Sequence, residues 1–222
     1  MTQGLGERIR AARLARGMSL RATATDAAIS PSLLSQVETG KVHPSVSTLY
    51  TIVTTLGLSM DDVLGREESG GVMHTPTRVG PVQPLSAAPE IDMQNGVTWR
   101  GLASMDTGDG ADSVLATYQP GASSSVDDTH MRHAGVEYGY IIRGELTLKL
   151  DFETYVLRPG DSVCFDSMRP HLYVNHTDAV AEGVWFVLGM TRTGSEPVEA
   201  SEIRTAADVL GAIGRLPGRA GA

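Results

Sequence analysis

The stretch Ser30-Pro31-Ser32-Leu33-Leu34-Ser35-Gln36-Val37-Glu38-Thr39-Gly40-Lys41 decides how the amino-terminal third of the chain is read. Serine is a favoured helix cap because its hydroxyl accepts from a backbone N–H that the first turn leaves unpaired. Proline at the next position lacks only an N–H that has no helical partner there. The stretch therefore predicts a helix over residues 31–39 that stops at Gly40. Toward the N-terminus, Leu5, Ile9 and Ala12 recur at helical spacing and Gly17 follows, which predicts a helix over residues 5–16 with its arginines turned outward. Ser19 caps a second helix of about two turns. Downstream, Pro44-Ser45 opens a fourth helix, with Leu49, Ile52, Val53 and Leu56 as its core stripe and Gly57 as its end. Ser59 and the pair Asp61-Asp62, favourable at the positive end of a helix dipole, open a short fifth that Gly65 closes.

The chain has 222 residues, 41% hydrophobic and 20% charged, enough for one generous domain or two small ones and too apolar for a disordered polymer. No apolar run approaches the roughly 18 residues of a spanning helix, and the arginine-studded start has no hydrophobic signal core. A cytoplasmic product with no membrane partner is expected. The single cysteine, Cys164, closes no intrachain disulfide, and in Ser162-Val163-Cys164-Phe165 it reads as a small core residue rather than a nucleophile. The net charge of -8 is uneven: six basic and three acidic residues through Lys41 leave the head at +3 and the remainder at -11. A basic head on an acidic body is the distribution of a DNA-contacting module beside one that does not touch DNA. A solvated arginine-rich helix face gives the same clustering.

Residues 66–90 carry Gly70-Gly71, Pro76, Pro81, Pro84 and Pro89 without helical or strand periodicity and read as a linker. Beyond them come short alternating or apolar runs over residues 97–102, 114–118, 137–142, 145–150, 155–157, 162–165, 171–174 and 184–188, each bounded by turn residues. Many short strands with turns between them predict an antiparallel sandwich or barrel. Residues 206–213 form a weak helical patch in a tail that ends in glycine, arginine and alanine.

The second and third predicted helices, joined by Ala27-Ala28-Ile29-Ser30, have the spacing of a helix-turn-helix, whose second helix enters the major groove by its N-terminal half. From Ser19-Leu20-Arg21 through Gln36-Val37-Glu38-Thr39-Gly40-Lys41, then His43-Pro44-Ser45 and residues 49–58, the chain resembles the phage-repressor and Cro-like (XRE-type) DNA-binding domain. The resemblance implies that Ser32, Ser35 and Gln36 face base edges, with Gln36 bonding an adenine at two points. It implies that Thr39, Gly40 and Lys41 meet phosphates, while Leu34 and Val37 face the core. Two positions depart from the family pattern: Thr23 stands where an apolar residue is usual, and Ala28 where the turn glycine is usual. Both bear on stability, Ala28 through the cost of a left-handed backbone.

In the barrel segment, His133 and Glu137 lie four apart, which on a regular strand puts both side chains on one face. With His171 after Pro170, two imidazoles and a carboxylate are the elements of a facial triad for Fe(II) or of a three-ligand zinc or manganese site. Through His133, Glu137 and Gly144, and through Gly160, Asp161, Pro170, His171 and Asn175, this half resembles the cupin superfamily. The family's His-x-His pair has Met131 at its first position here, and His130 is one residue out of register. Three ligands remain for one divalent metal (Fe, Zn, Mn or Ni). The alternative is a metal-free effector pocket. His43, His74 and His176 read as surface or loop residues.

The whole reading is an α + β multidomain chain. An all-α five-helix bundle over residues 1–65 is followed by a linker, 66–90, a cupin double-stranded β-helix (jelly-roll) barrel, 91–192, and a tail, 193–222. The resemblance implies a homodimeric transcriptional regulator that binds a double-stranded DNA operator and senses a small-molecule effector in its barrel. Arg132, Arg143 and Arg169 suit an anionic effector or, equally, solvent. The rival reading is an enzyme, a mononuclear non-haem iron oxidoreductase similar in domain order to the phosphonate epoxidase, with a vestigial head. The recognition helix, with Ser32, Ser35, Gln36 and Lys41 together, favours the regulator and no catalytic residue is assigned.

Overall fold

Three of the head helices begin where a serine side chain takes over an orphan N–H. In a computed structural model, which describes residues 4–58, 60–64, 82–103 and 112–189, Ser19 Oγ accepts from Ala22 N–H, Ser30 Oγ from Leu33 N–H and Ser45 Oγ from Thr48 N–H, at 3.1, 3.1 and 3.2 Å. These caps start α2 (Leu20–Asp26), α3 (Pro31–Glu38) and α4 (Val46–Leu56); α1 (Leu5–Ala15) precedes them and α5 (Met60–Leu64) follows. Ser59, Gly65, His74, residues 66–81 of the expected linker and the tail over 193–222 lie outside the described residues.

The core of the head is Ile9, Ala24, Leu34, Val37, Leu49, Ile52, Val53 and Leu56, all buried. Helices α1 and α3 approach closely at Gly6, where a Cβ would sit 2.2 Å from the Val37 carbonyl oxygen, so only glycine fits. The outward placement of every α1 arginine is corrected at Arg13. Its guanidinium is buried and grips Glu38 at two points, Nε to Oε1 at 2.6 Å and Nη2 to Oε2 at 2.8 Å, and Nη1 donates to the Met18 carbonyl at 2.9 Å. The pair makes α1 and the end of α3 one rigid unit. Arg8 and Arg16 also turn to backbone carbonyls, those of Val63 and Gly57.

Among the described residues, nine strands form the second domain: β1 (Glu90–Asp92), β2 (Val97–Gly101), β3 (Asp112–Tyr118), β4 (Val136–Arg143), β5 (Leu146–Leu150), β6 (Glu153–Leu157), β7 (Ser162–Asp166), β8 (His171–Val174) and β9 (Ala181–Leu188). They pair antiparallel into a six-stranded sheet, β1-β2-β3-β9-β4-β7, and a three-stranded sheet, β6-β5-β8. Tyr173 of the smaller sheet meets Trp185 of the larger edge to face, ring centroids 5.5 Å apart, where the inner faces come together. Gly183 makes room for that indole, since a Cβ there would lie 2.7 Å from it. The turn Leu85–Ala87 and the first residue of β1, Glu90, fall within the stretch read as linker; the Gly101 N–H bonds Pro89 and the Gln83 side chain bonds Gly101.

The core assignment of Cys164 is also corrected. Strand alternation turns Phe165 inward, so Cys164 faces outward and is exposed, opposite Tyr138 of β4. Among the described residues no helix is long and apolar enough to cross a membrane.

Candidate functional site

On α3 the burial follows the helix repeat. Leu34 and Val37 are interior, Ser32 and Gln36 are exposed, and Ser35 is half-buried beside them. Thr39, Gly40 and Lys41 continue the exposed strip past the helix end. The Thr39 hydroxyl donates back to the Ser35 carbonyl at 2.8 Å, and the Lys41 N–H to the Gln36 carbonyl at 2.9 Å, so the turn after the helix is held by its own backbone. Arg10 and Arg21 are exposed as well. Ala28, in the turn between α2 and α3, has φ of 51°, the left-handed conformation that its family position requires of the backbone.

In the barrel, His133, Glu137 and His171 are buried together, with one ligand atom of each within 4.8 Å of the others. Their convergence does not come from a regular strand over His133 to Glu137, as the four-residue spacing suggests: β4 starts at Val136, and His133 precedes a turn at Gly135 (φ 111°). The His133 N–H bonds the Ser167 carbonyl at 3.1 Å, which fixes this approach. Nε2 of His133 lies 3.3 Å and Nε2 of His171 3.5 Å from Glu137 Oε2. The two Nδ1 atoms face the carbonyls of Ala134 and Arg169 at 3.2 and 2.8 Å. A carbonyl only accepts, so each Nδ1 donates and each Nε2 is the ring atom turned to the interior. Among the described residues neither Nε2 has a hydrogen-bond partner.

Electrostatics points the same way. Burial pushes the His171 imidazolium below its ordinary value, with Glu137 opposing. Burial alone would raise Glu137; the adjoining imidazoles, His133 first, and the Tyr173 hydroxyl, which donates to Oε1 at 2.7 Å, outweigh it and hold the carboxyl below its ordinary range. Two imidazoles and one carboxylate, buried together with both Nε2 atoms turned inward, are a donor set that fits a divalent cation. Met131 is buried and bridged to His171, and it lines the adjoining pocket, while His130 is exposed.

Of the three arginines that suited an anionic effector or solvent equally, two are paired on the outer surface, Arg143 with Glu182 at 2.9 Å and Arg169 with Asp151 at 2.7 Å. Arg132 is exposed and is not among the pocket-lining residues. Asn175, the last motif position, is a corner brace whose amide donates to the carbonyls of Tyr118, Gln119 and Ala179. The pocket wall is aromatic instead: Trp99, Tyr118, Tyr173 and Trp185 surround Glu137. One more ring comes from the head. Tyr50 of α4 stacks on His133, with centroids 4.0 Å apart and planes within 3°, and meets the edge of Trp99 at 5.6 Å. Sequence reasoning missed it; the signal available was the apolar surface of α4, which also includes Val46 and Tyr50 and so exceeds one stripe.

Comparison with known proteins follows the same division. The helix-turn-helix domain family matches residues 4–64 and the cupin domain family residues 114–187. The HTH-type transcriptional regulator PuuR of Escherichia coli (strain K12) is 25% identical over 174 residues, 77% of this chain and 86% of that protein. The HTH-type transcriptional regulator DdrOP3 of Deinococcus deserti is 40% identical over 60 residues, 27% of this chain and 46% of that protein. An HTH_3 family transcriptional regulator from Vibrio cholerae shares the fold at a TM-score of 0.62 and 20% identity, over 83% of this chain and 94% of that one. The chain thus joins a helix-turn-helix domain to a cupin domain.

Proposed function

We propose that the chain is a DNA-binding transcriptional regulator whose α3 reads an operator and whose barrel holds a divalent metal and a small-molecule effector. The observation that carries the reading is the strip of exposed Ser32, Gln36, Thr39, Gly40 and Lys41, with half-buried Ser35 among them, on a helix locked in place by the buried Arg13–Glu38 pair. A glutamine amide matches the donor and acceptor of an adenine edge, and a lysine beside it meets phosphate. PuuR is itself named a regulator, and the likeness to it spans most of both chains. The three inward ligands suit an iron oxidoreductase equally, and the reading face of the head sets that alternative aside.

His133, Glu137 and His171 would hold the metal. Such an ion, with three protein ligands, offers open positions to a donor atom of a small molecule. The chain's own residues orient it: the backbone carbonyls aim both imidazoles and Tyr173 fixes the carboxylate. A homodimer reading two half-sites completes the proposal. It is supported by the outer face of β4, β7 and β9, where Tyr140, Ile142 and Phe186 are about half-exposed beside Tyr138 and Cys164.

The test is fluorescence anisotropy with the promoter region of the chain's own gene at physiological salt. Gln36→Ala is expected to weaken binding by about 1–3 kcal/mol and relax the preference at one base pair, and Lys41→Ala to lower the salt slope by about 1. Unchanged binding in both variants overturns the DNA reading. Metal analysis of protein purified without chelator, wild type against Glu137→Ala, tests the barrel.

A further inference from the structure

Resting on the regulator reading, we propose that Tyr50 is a plug that couples the two domains: its ring fills the slot that a flat ligand would take in the barrel, so occupancy of that slot and docking of the head exclude one another.

Helix α4 has two working faces. Leu49, Ile52, Val53 and Leu56 belong to the head's core, whereas Val46 and Tyr50, one turn apart, line the barrel pocket. With Tyr50 in place, the space left among the lining residues admits the centre of a water molecule over only about 20 Å³, room for a water or an ion and not for an organic molecule. The phenol closes the side of the pocket that faces the head, lying flat on His133 and against the edge of Trp99. Burial, with the charges of Glu137 and Asp112, holds its hydroxyl neutral.

The backbone records the same docking. Ser47 is the second residue of α4, where an N–H has no acceptor within the helix, and it donates instead to the Ser124 carbonyl of the barrel at 3.0 Å. The Gln94 N–H of the barrel donates to the Pro44 carbonyl of the head at 2.9 Å, and the Ser47 hydroxyl to Ser125 at 3.2 Å. These bonds close only while the ring is seated. Because the other face of α4 is packed into the head, expelling the ring releases the whole head, α3 included. A ligand that binds only the open form favours it by its differential affinity, and docking weakens that ligand's apparent affinity by the same factor.

The experiment uses the full-length chain and 4-methylphenol, the free equivalent of the tyrosine side chain. The chain's two tryptophans, Trp99 and Trp185, both stand in the pocket wall, so their emission reports occupancy. Tyr50→Ala is expected to bind the phenol at least about 10-fold more tightly than wild type, because no plug competes. Amide exchange at Ser47 and Gln94 is expected to rise by a similar factor in Tyr50→Ala, and in wild type as the phenol is added, while Val53 and Leu148 stay protected. Tyr50→Phe keeps the ring and the wild-type exchange. If Tyr50→Ala does not fold, Tyr50→Leu, which keeps bulk and loses the ring plane, replaces it. Equal phenol affinity in wild type and variant, binding to neither, or unchanged exchange at Ser47 and Gln94 overturns the proposal. Promoter binding by the wild type decides the regulator reading separately.

Discussion

Two residues of the head work against the stability of the fold they sit in. Ala28 holds a positive φ, where its Cβ crowds the following carbonyl, and glycine there relieves the strain at some cost in chain entropy. Ala28→Gly is expected to raise stability by about 0.5–1 kcal/mol in urea denaturation. Thr23 is fully buried, and among the described residues its hydroxyl has no hydrogen-bond partner. Thr23→Val keeps the shape and removes the orphan, for an expected gain of about 1 kcal/mol in the same assay. Both sites were legible in the sequence as departures from a family pattern, because turn and core positions impose their demands locally. Cys164 was not legible: a four-residue run of mostly apolar letters does not say which alternate side faces in, and the partner strands decide it.

At the scale of helices and strands, the legible part is what short-range chemistry dictates. Ser19, Ser30 and Ser45 announce three helix starts, and eight of the strands follow runs bounded by glycine, proline or aspartate. Strand β1 was hidden because its three residues are held by pairing with β2 and have no pattern of their own. The Arg13–Glu38 pair was hidden for the opposite reason: a charged pair reads as surface until two helices close over it. The glutamate in the recognition-helix motif is therefore structural here. Glu38→Ala leaves a buried guanidinium uncompensated and is expected to cost about 3–5 kcal/mol in chemical denaturation. It should weaken DNA binding only through the folded fraction, so that anisotropy corrected for that fraction matches wild type.

Over the molecule as a whole, the grouping of His133, Glu137 and His171 could be read from spacing, and its geometry could not, since His133 reaches the cluster from a loop. The outer sheet face poses the assembly question. Tyr140→Asp combined with Phe186→Asp is expected to shift a dimer to monomer in light scattering, because two charges cannot be desolvated in an apolar contact without partners. The fold should survive, since both side chains already face solvent. Tyr50 lay beyond sequence reasoning because it completes a wall that belongs to another domain. That arrangement limits how the parts can be recombined. A chimera that grafts this barrel onto a foreign head, cut anywhere in the stretch between them, transplants a cavity lacking one of its sides; to carry it across whole, the donor piece must bring Val46 and Tyr50 with it.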